Sequence, residues 1–353
     1  MATADRVQLP GWWPTKGTPA RNEYVGPAAC TKCHAQKAAS TQQTPMAHAS
    51  MLTADSDILR VHSLLNAKIG PYSYELKTEK SSTFSVTDGK QSISTTLAWA
   101  FGIGEVGQTY VYEKIGHFYE SRLSFYKNTQ ALDFSPGHPR SIPINLDDAL
   151  GRPFYAGETQ RCFGCHTTAS TTGNRFDAAH LIPGVTCEAC HGPGAEHVVA
   201  MTTSDGGQVP TLIMNPRNLR PVDSVEFCGA CHRTLWDVAL GAFKRIYSIR
   251  FQPYRLESSR CWGNGDSRLT CITCHDPHQP LVRDDATYDS HCLACHLTDK
   301  TAKASRDHPG AACPVSTKDC VTCHMPKREI PGMHSQFTDH KIQITRKDGT
   351  FND

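Results

Sequence analysis

The sequence predicts a mostly irregular and α-helical fold, in which short helices pack around stacked prosthetic groups, with one small antiparallel β module. Three observations predict it. The pattern Cys-x-x-Cys-His occurs seven times in 353 residues, and six of the copies fall between Cys162 and His324. The long stretch between the first and second copies holds no such motif and alternates polar with apolar residues instead. Only 39% of residues are hydrophobic and 8% aromatic, a thin supply for a protein core at this length.

Two cysteines three residues apart share one face of a helical turn, so both sulfurs reach the two vinyl groups of one porphyrin. The next residue then sets an imidazole under the iron. The expected thioether residues are Cys30 and Cys33, Cys162 and Cys165, Cys187 and Cys190, Cys228 and Cys231, Cys271 and Cys274, Cys292 and Cys295, and Cys320 and Cys323. The proximal iron ligands are His34, His166, His191, His232, His275, His296 and His324. A histidine directly after the second cysteine every time has no rationale in zinc binding. Seven covalently bound haem c groups are therefore the expected cofactors. Their buried faces would supply the missing apolar surface, at about 25 cal/mol per Å², and the apoprotein should fold poorly.

Taken in order, residues 1–65 read as an arm and the first haem site. The lead-in is rich in Pro, Gly and Thr, with Trp12 and Trp13 either anchoring it to the body or meeting another subunit. The first motif opens a helix through Ser40. Residues 66–127 read as a β module without a cofactor. Tyr72–Leu76, Thr83–Thr87, Gln91–Leu97, Thr109–Lys114 and Phe118–Phe125 alternate, and Asp88-Gly89 marks a hairpin turn. Its expected role is a packing face over neighbouring haems. Residues 128–353 read as a compact six-haem domain with a ligand-bearing C-terminal tail. Motif starts there fall 25, 41, 43, 21 and 28 residues apart, too uneven for a tandem repeat. At that density, contact between consecutive porphyrins is close to unavoidable.

Eleven histidines remain for the distal side of the irons, enough for bis-His ligation throughout. The favoured set is His48, His138, His197, His278, His308, His334 and His340, with His62, His117, His180 and His291 in reserve. His197 and His278 lie too close to their own motifs to serve the same iron, and suit an adjacent one. His334 and His340 give the tail a reason to be ordered. The haem at His232 must take its distal ligand from a distance, or have none. Met46, Met51, Met325 and Met333 are read as packing. Cys261 and Cys313 lie outside the motifs, and a disulfide between them is the expected pairing, two free thiols the alternative.

The formal charge of +2 makes no case for nucleic acid. With two propionates per haem, the holoprotein would carry about −5 oxidised and about −12 reduced. No stretch approaches the apolar length of a membrane helix. Haem attachment to this motif takes place outside the cytoplasm, so a periplasmic or extracellular location is expected, with a secretory signal removed or left out.

Several segments are specific beyond the motif. They are Tyr24-Val-Gly-Pro-Ala-Ala-Cys30 with Lys32-Cys33-His34, Arg161-Cys-Phe-Gly-Cys-His166 and Gly184-Val-Thr-Cys-Glu-Ala-Cys-His-Gly-Pro-Gly194. Leu269-Thr-Cys-Ile-Thr-Cys-His-Asp-Pro-His278, Cys313-Pro, Asp319-Cys-Val-Thr-Cys-His-Met-Pro-Lys327 and Phe337-Thr-Asp-His340 complete the set. In these the chain resembles the soluble multihaem c-type cytochromes of bacteria, here with seven haems, a family whose longer members continue into tetratricopeptide repeats. The resemblance implies electron transfer outside the cytoplasm through mainly bis-His haems. The partners it implies are redox proteins or further copies of the chain, as in an extracellular cytochrome filament. The competing expectation is a multihaem oxidoreductase similar to nitrite reductases or hydroxylamine oxidoreductases. Such an enzyme needs one open iron, and no Cys-x-x-Cys-Lys, the usual mark of that site in nitrite reductases, occurs here.

Overall fold

The computed structural model describes residues 23–344, apart from 156, 173–174, 204–211, 241–244, 264–265, 267 and 297–312. Trp12, Trp13 and His308 lie outside the described residues. The chain divides into two units. In described residues, one holds 23–214 and 330–335, the other 215–329 and 336–344.

The first unit is built on a ten-stranded sheet. Its strands are β1 (Ser50–Leu52), β2 (Leu64–Ile69), β3 (Tyr72–Thr78), β4 (Ser82–Thr87), β5 (Ser92–Phe101), β6 (Gly107–Lys114), β7 (His117–Ser121), β8 (Leu123–Tyr126), β9 (Ala131–Phe134) and β10 (Gly151–Pro153). They run in the order β10-β7-β6-β5-β4-β3-β2, with β1 on β5 and β8 between β6 and β9. Alternation explains the buried face. Tyr72, Tyr74 and Leu76 of β3 point inward while Ser73, Glu75 and Lys77 point out. The register sets Tyr74 opposite Val86 and Leu76 opposite Phe84, so core side chains pair across strands. Leu97, Tyr110, Tyr112, Leu123 and Phe125 extend the same core. Leu59 of helix α3 (Asp57–Val61) and Ala149 and Leu150 of α4 (Leu146–Leu150) close it.

The β structure is thus larger than the small module expected over 66–127. Strands β1 and β10 have three residues each, and β10 ends in proline, so neither carries a legible alternation. All four residues of β8 are buried, which erases the period altogether. The run Phe118–Phe125 is split into β7 and β8 at Arg122.

Around the sheet the unit carries α1 (Pro27–Thr31), α2 (Ala35–Thr41), α5 (Glu158–His166), α6 (Cys187–His191) and α7 (Ala195–Thr203). The helix expected to run from the first motif through Ser40 is two helices, with a turn at Lys32 and Cys33. The second unit consists of short helices and loops: α8 (Pro221–His232), α9 (Leu235–Leu240), α10 (Gln252–Glu257), α11 (Cys271–Cys274), α12 (Asp289–Leu293) and α13 (Cys320–His324). A hairpin of Lys327–Glu329 with Gln336–Thr338 precedes the tail. Its core is small: Val225, Phe227, Ile249, Phe251, Trp262 and Val321.

Candidate haem-attachment sites

Each motif sits on a helical turn. Helices α5, α6, α8 and α13 end on His166, His191, His232 and His324. In the other three the turn closes through backbone bonds from His34 to Cys30 (2.8 Å), His275 to Cys271 (3.0 Å) and His296 to Cys292 (3.0 Å). A closed turn puts the residues at i, i+3 and i+4 on one face, which is the arrangement two thioethers and one axial imidazole require.

Three of these imidazoles are oriented by backbone carbonyls. His166 donates from Nδ1 to Ala49 O (2.9 Å), His191 to Met214 O (2.8 Å) and His324 to Gln343 O (2.9 Å). An imidazole that donates from Nδ1 carries its lone pair on Nε2, the tautomer that binds a metal, and the bond holds the ring's orientation. Phe101 stacks on the His166 ring at 4.9 Å and 12°.

The motifs also meet one another. The thiols of Cys30 and Cys187 lie close enough to interact, which holds Cys187 down to about 7 and pushes Cys30 up. The thiols of Cys228 and Cys271 interact in the same way, as do those of Cys292 and Cys320. Three pairs of attachment sites are therefore adjacent through their first cysteines, one pair in the first unit and two in the second.

Two proximal histidines face a second histidine. The rings of His34 and His197 lie 6.5 Å apart between centroids, inclined by 17°. Those of His275 and His340 lie 6.2 Å apart at 43°. A first-row metal–imidazole bond of about 2.0–2.1 Å, with roughly 1.1 Å from nitrogen to ring centre, separates opposed axial imidazoles by about 6.3 Å. The two centroid distances match that separation. His340 donates from Nδ1 to Thr338 O (3.1 Å), and burial pushes it down to about 4, so it is neutral near pH 7. Burial likewise lowers His275. Among the described residues, His197 Nδ1 is buried without a hydrogen-bond partner.

The remaining distal candidates are placed differently. His48 is half-buried with Nε2 on Gln42 O (2.7 Å). The His138 side chain is fully buried, its Nε2 3.2 Å from Glu120 Oε2. Glu120 lies close enough to Cys162 to help raise that thiol, after burial, to about 12, so His138 belongs to the second motif's surroundings. His278 Nδ1 meets Asp276 (3.2 Å), and His334 Nε2 meets Asp133 (2.6 Å) with its ring edge-on to Tyr126. Of the reserves, His180 Nδ1 meets Asp177 (2.8 Å), His62 packs on Phe125 at 4.8 Å, and His117 and His291 are exposed. Met51 packs against the sheet core, and Met46, Met325 and Met333 are half-buried. The expected Cys261–Cys313 bond is not formed. Cys261 faces Cys292 and Cys295, while Cys313 is held by the amides of Val315 and Ser316.

Residues that motif reading passes over hold these sites together. Glu188, between the two cysteines of the third motif, accepts from the amides of Val25, Gly26 and Gly194. Asp289, three residues before Cys292, accepts from the amides of Asp319 and Cys320. Arg255 and Asp339, both fully buried, form a bidentate pair at 2.8 and 2.9 Å beside His340.

The residues present fit a covalently held haem. Paired thiols and an imidazole share one turn, second imidazoles stand at ligand spacing, and a cavity of about 220 Å³ lies against Cys187. That cavity is lined by small side chains, among them Pro27, Thr31, Ala35, Ala38 and Ala47, suited to a flat apolar group. Among the described residues, no helix is long and apolar enough to cross a membrane.

Comparison with known proteins points the same way. A family model described as cytochrome c554 and c-prime matches residues 147–192, which include the second and third motifs. Multiheme cytochrome MtrA of Shewanella baltica (strain OS185) is 22% identical over 204 residues, 53% of this chain and 52% of that protein. The chain thus spans about half the length of this curated relative. The crystal structure of the outer cell wall cytochrome OcwA superposes with a TM-score of 0.51 at 15% identity, covering 91% of this chain and 80% of that one.

Proposed function

We propose that this chain, a multihaem c-type cytochrome on the reading that all three comparisons support, carries electrons along a row of seven covalently attached, mainly bis-His haems outside the cytoplasm. The observation that carries the proposal is the pair of opposed imidazoles, His34 with His197 and His275 with His340, at 6.5 and 6.2 Å. An iron held on both sides has no position for substrate, which suits transfer rather than catalysis. Bound haem supplies one-electron iron chemistry, tuned by ligand, burial and hydrogen bonding. The chain's own part is to hold the ligands. Backbone carbonyls of Ala49, Met214 and Gln343 orient proximal rings, and the contacts Cys30–Cys187, Cys228–Cys271 and Cys292–Cys320 bring attachment sites side by side. Partners under this reading are redox proteins or further copies of the chain.

The test is the ferric spectrum of the purified holoprotein, with the haem count taken from intact mass. Seven haems and a wholly low-spin signal are expected. A substantial high-spin, five-coordinate component that binds small anions would instead favour an oxidoreductase with an open iron.

A further inference from the structure

Glu188 is 1% exposed and lies inside the third motif, yet its carboxylate bonds nothing that belongs to that motif's own ligands. Oε1 accepts from Val25 N (2.9 Å) and Gly194 N (2.8 Å), and Oε2 accepts from Gly26 N (2.8 Å). These amides stand at two helix starts. Gly26 O accepts from Ala29 N at the head of α1, which leads to Cys30, Cys33 and His34. Gly194 O accepts from Val198 N at the head of α7, which carries His197. One carboxylate therefore ties the backbone that bears the proximal ring to the backbone that bears the facing ring. The negative charge is also favoured by the dipole at the N-terminus of the nine-residue α7.

The approach is tight. A Cβ on Gly194 would stand 3.2 Å from Val25 Cγ2 and 3.3 Å from Glu188 Oε1. The sequence Cys-Glu-Ala-Cys-His-Gly-Pro-Gly thus combines the acid and the bare backbone that let three chain segments meet at one buried point.

We propose that Glu188 is a positioning residue for the haem at Cys30 and Cys33, setting the distance between His34 and His197 from within the motif that attaches a different haem. The proposal rests on the reading of His34 and His197 as one iron's axial pair. It makes the first site conditional on the third, so that the third motif's turn must form before the first haem gains its second imidazole.

The test compares holoprotein variants His197→Ala, Glu188→Gln and Glu188→Ala by low-temperature ferric EPR and magnetic circular dichroism, with and without added imidazole. His197→Ala should turn one haem high-spin, and imidazole should restore the low-spin signal. The Glu188 variants should raise the five-coordinate population of that same haem by roughly tenfold or more, the scale of one charge-assisted bond to a backbone amide. Imidazole should again reverse the change, and the haem's midpoint potential should move with it. If His197→Ala leaves every iron low-spin, the axial pairing and the positioning role fall together. If His197→Ala gives the signal but folded, fully haem-loaded Glu188→Gln shows neither high-spin iron nor a changed potential, the positioning role alone is overturned. Glu188→Gln keeps the side chain's volume and one acceptor oxygen, so it carries the test should Glu188→Ala fail to fold.

Discussion

Removing the Asp339 carboxylate would take from the buried Arg255 guanidinium both charge-assisted bonds it makes to that residue, in a unit whose apolar core is small. Both side chains are 0% exposed, and their two bonds are 2.8 and 2.9 Å long. Breaking a buried pair from one side costs about 3–5 kcal/mol, most of it the desolvation of the charge that has lost those bonds. At about 2–4 °C per kcal/mol for a body of this size, Asp339→Leu should lower the unfolding midpoint of the second unit by roughly 6–20 °C. Arg255→Met should cost less, because the carboxylate left behind still accepts from Lys341 N (3.0 Å). The double variant Arg255→Met with Asp339→Leu should recover to within about 1 kcal/mol of the parent, since two apolar side chains of similar volume leave no charge to desolvate. The assay is thermal and guanidinium unfolding followed by far-UV circular dichroism, with the covalent haems retained in both states. A cost below about 1 kcal/mol for Asp339→Leu, the range of exposed ion pairs, would refute the reasoning. So would a double variant as unstable as the sum of the singles.

Other outcomes follow from single contacts. Asp289 accepts from Cys320 N and Asp319 N, and these bonds lower its carboxyl below the ordinary value of 3.8. A depressed carboxyl contributes stability that is present above the unfolded pKa and is lost as pH falls through the folded one. Acid unfolding of the last haem site should therefore lose part of its pH dependence below about pH 4 in Asp289→Asn, and a titration identical to the parent's would count against the contact. Gly184 has φ +75°, and a Cβ there would stand 1.9 Å from Ala47 O, so Gly184→Ala should cost about 1–3 kcal/mol or more and lower haem loading at Cys187 and Cys190. Intact mass after expression reads that directly. Finally, a chain with all motif cysteines changed to serine should keep the far-UV signature of the sheet while losing most helix. Its buried face is closed by Leu76, Phe84, Tyr110 and Leu123, with no motif residue among them. Complete loss of β signal would show that the sheet, too, needs haem.

The motif turns are legible in the sequence because Cys-x-x-Cys-His has the spacing of a helical turn, so a purely local pattern suffices. The strands of the sheet's middle are legible for the same reason, as β3 shows with Tyr72, Tyr74 and Leu76 on one face. Its margins are not. Ser50–Leu52 and Gly151–Pro153 join by pairing with distant strands, β1 on β5 and β10 on β7, and three residues cannot show a period. The opposed imidazoles are long-range facts of the same kind. Nothing between His275 and His340 in sequence signals that the rings stand 6.2 Å apart. Glu188 and Asp339 are hidden in plain view, because an acid beside a motif reads equally well as a solvated surface group. Only their burial, 1% and 0% exposed, separates the two readings.

The sheet without a motif then has a mechanical reason to be there. His166 donates to Ala49 O at the threshold of β1, and Ser50 Oγ donates to the His166 carbonyl (2.7 Å). Phe101, at the end of β5, stacks on the same imidazole, while Trp99 and Phe101 meet Phe163 of α5 edge-on at 5.4 and 5.1 Å. Ser50 and Phe101 are direct partners in the β1–β5 ladder, so one pair of strands grips both the ring and the backbone of the second motif's histidine. A strand ladder moves little, and the residues that follow α5 are held as well, Thr167 and Thr168 being buried and paired with Pro183 and Ile182. Under the proposed function, a rigid grip would keep the ring's orientation, and with it the ligand field of a bound iron, unchanged when the charge at the site changes by one electron. A transfer site requires low reorganisation of its ligands, and under that proposal strands that bear no cysteine would supply it.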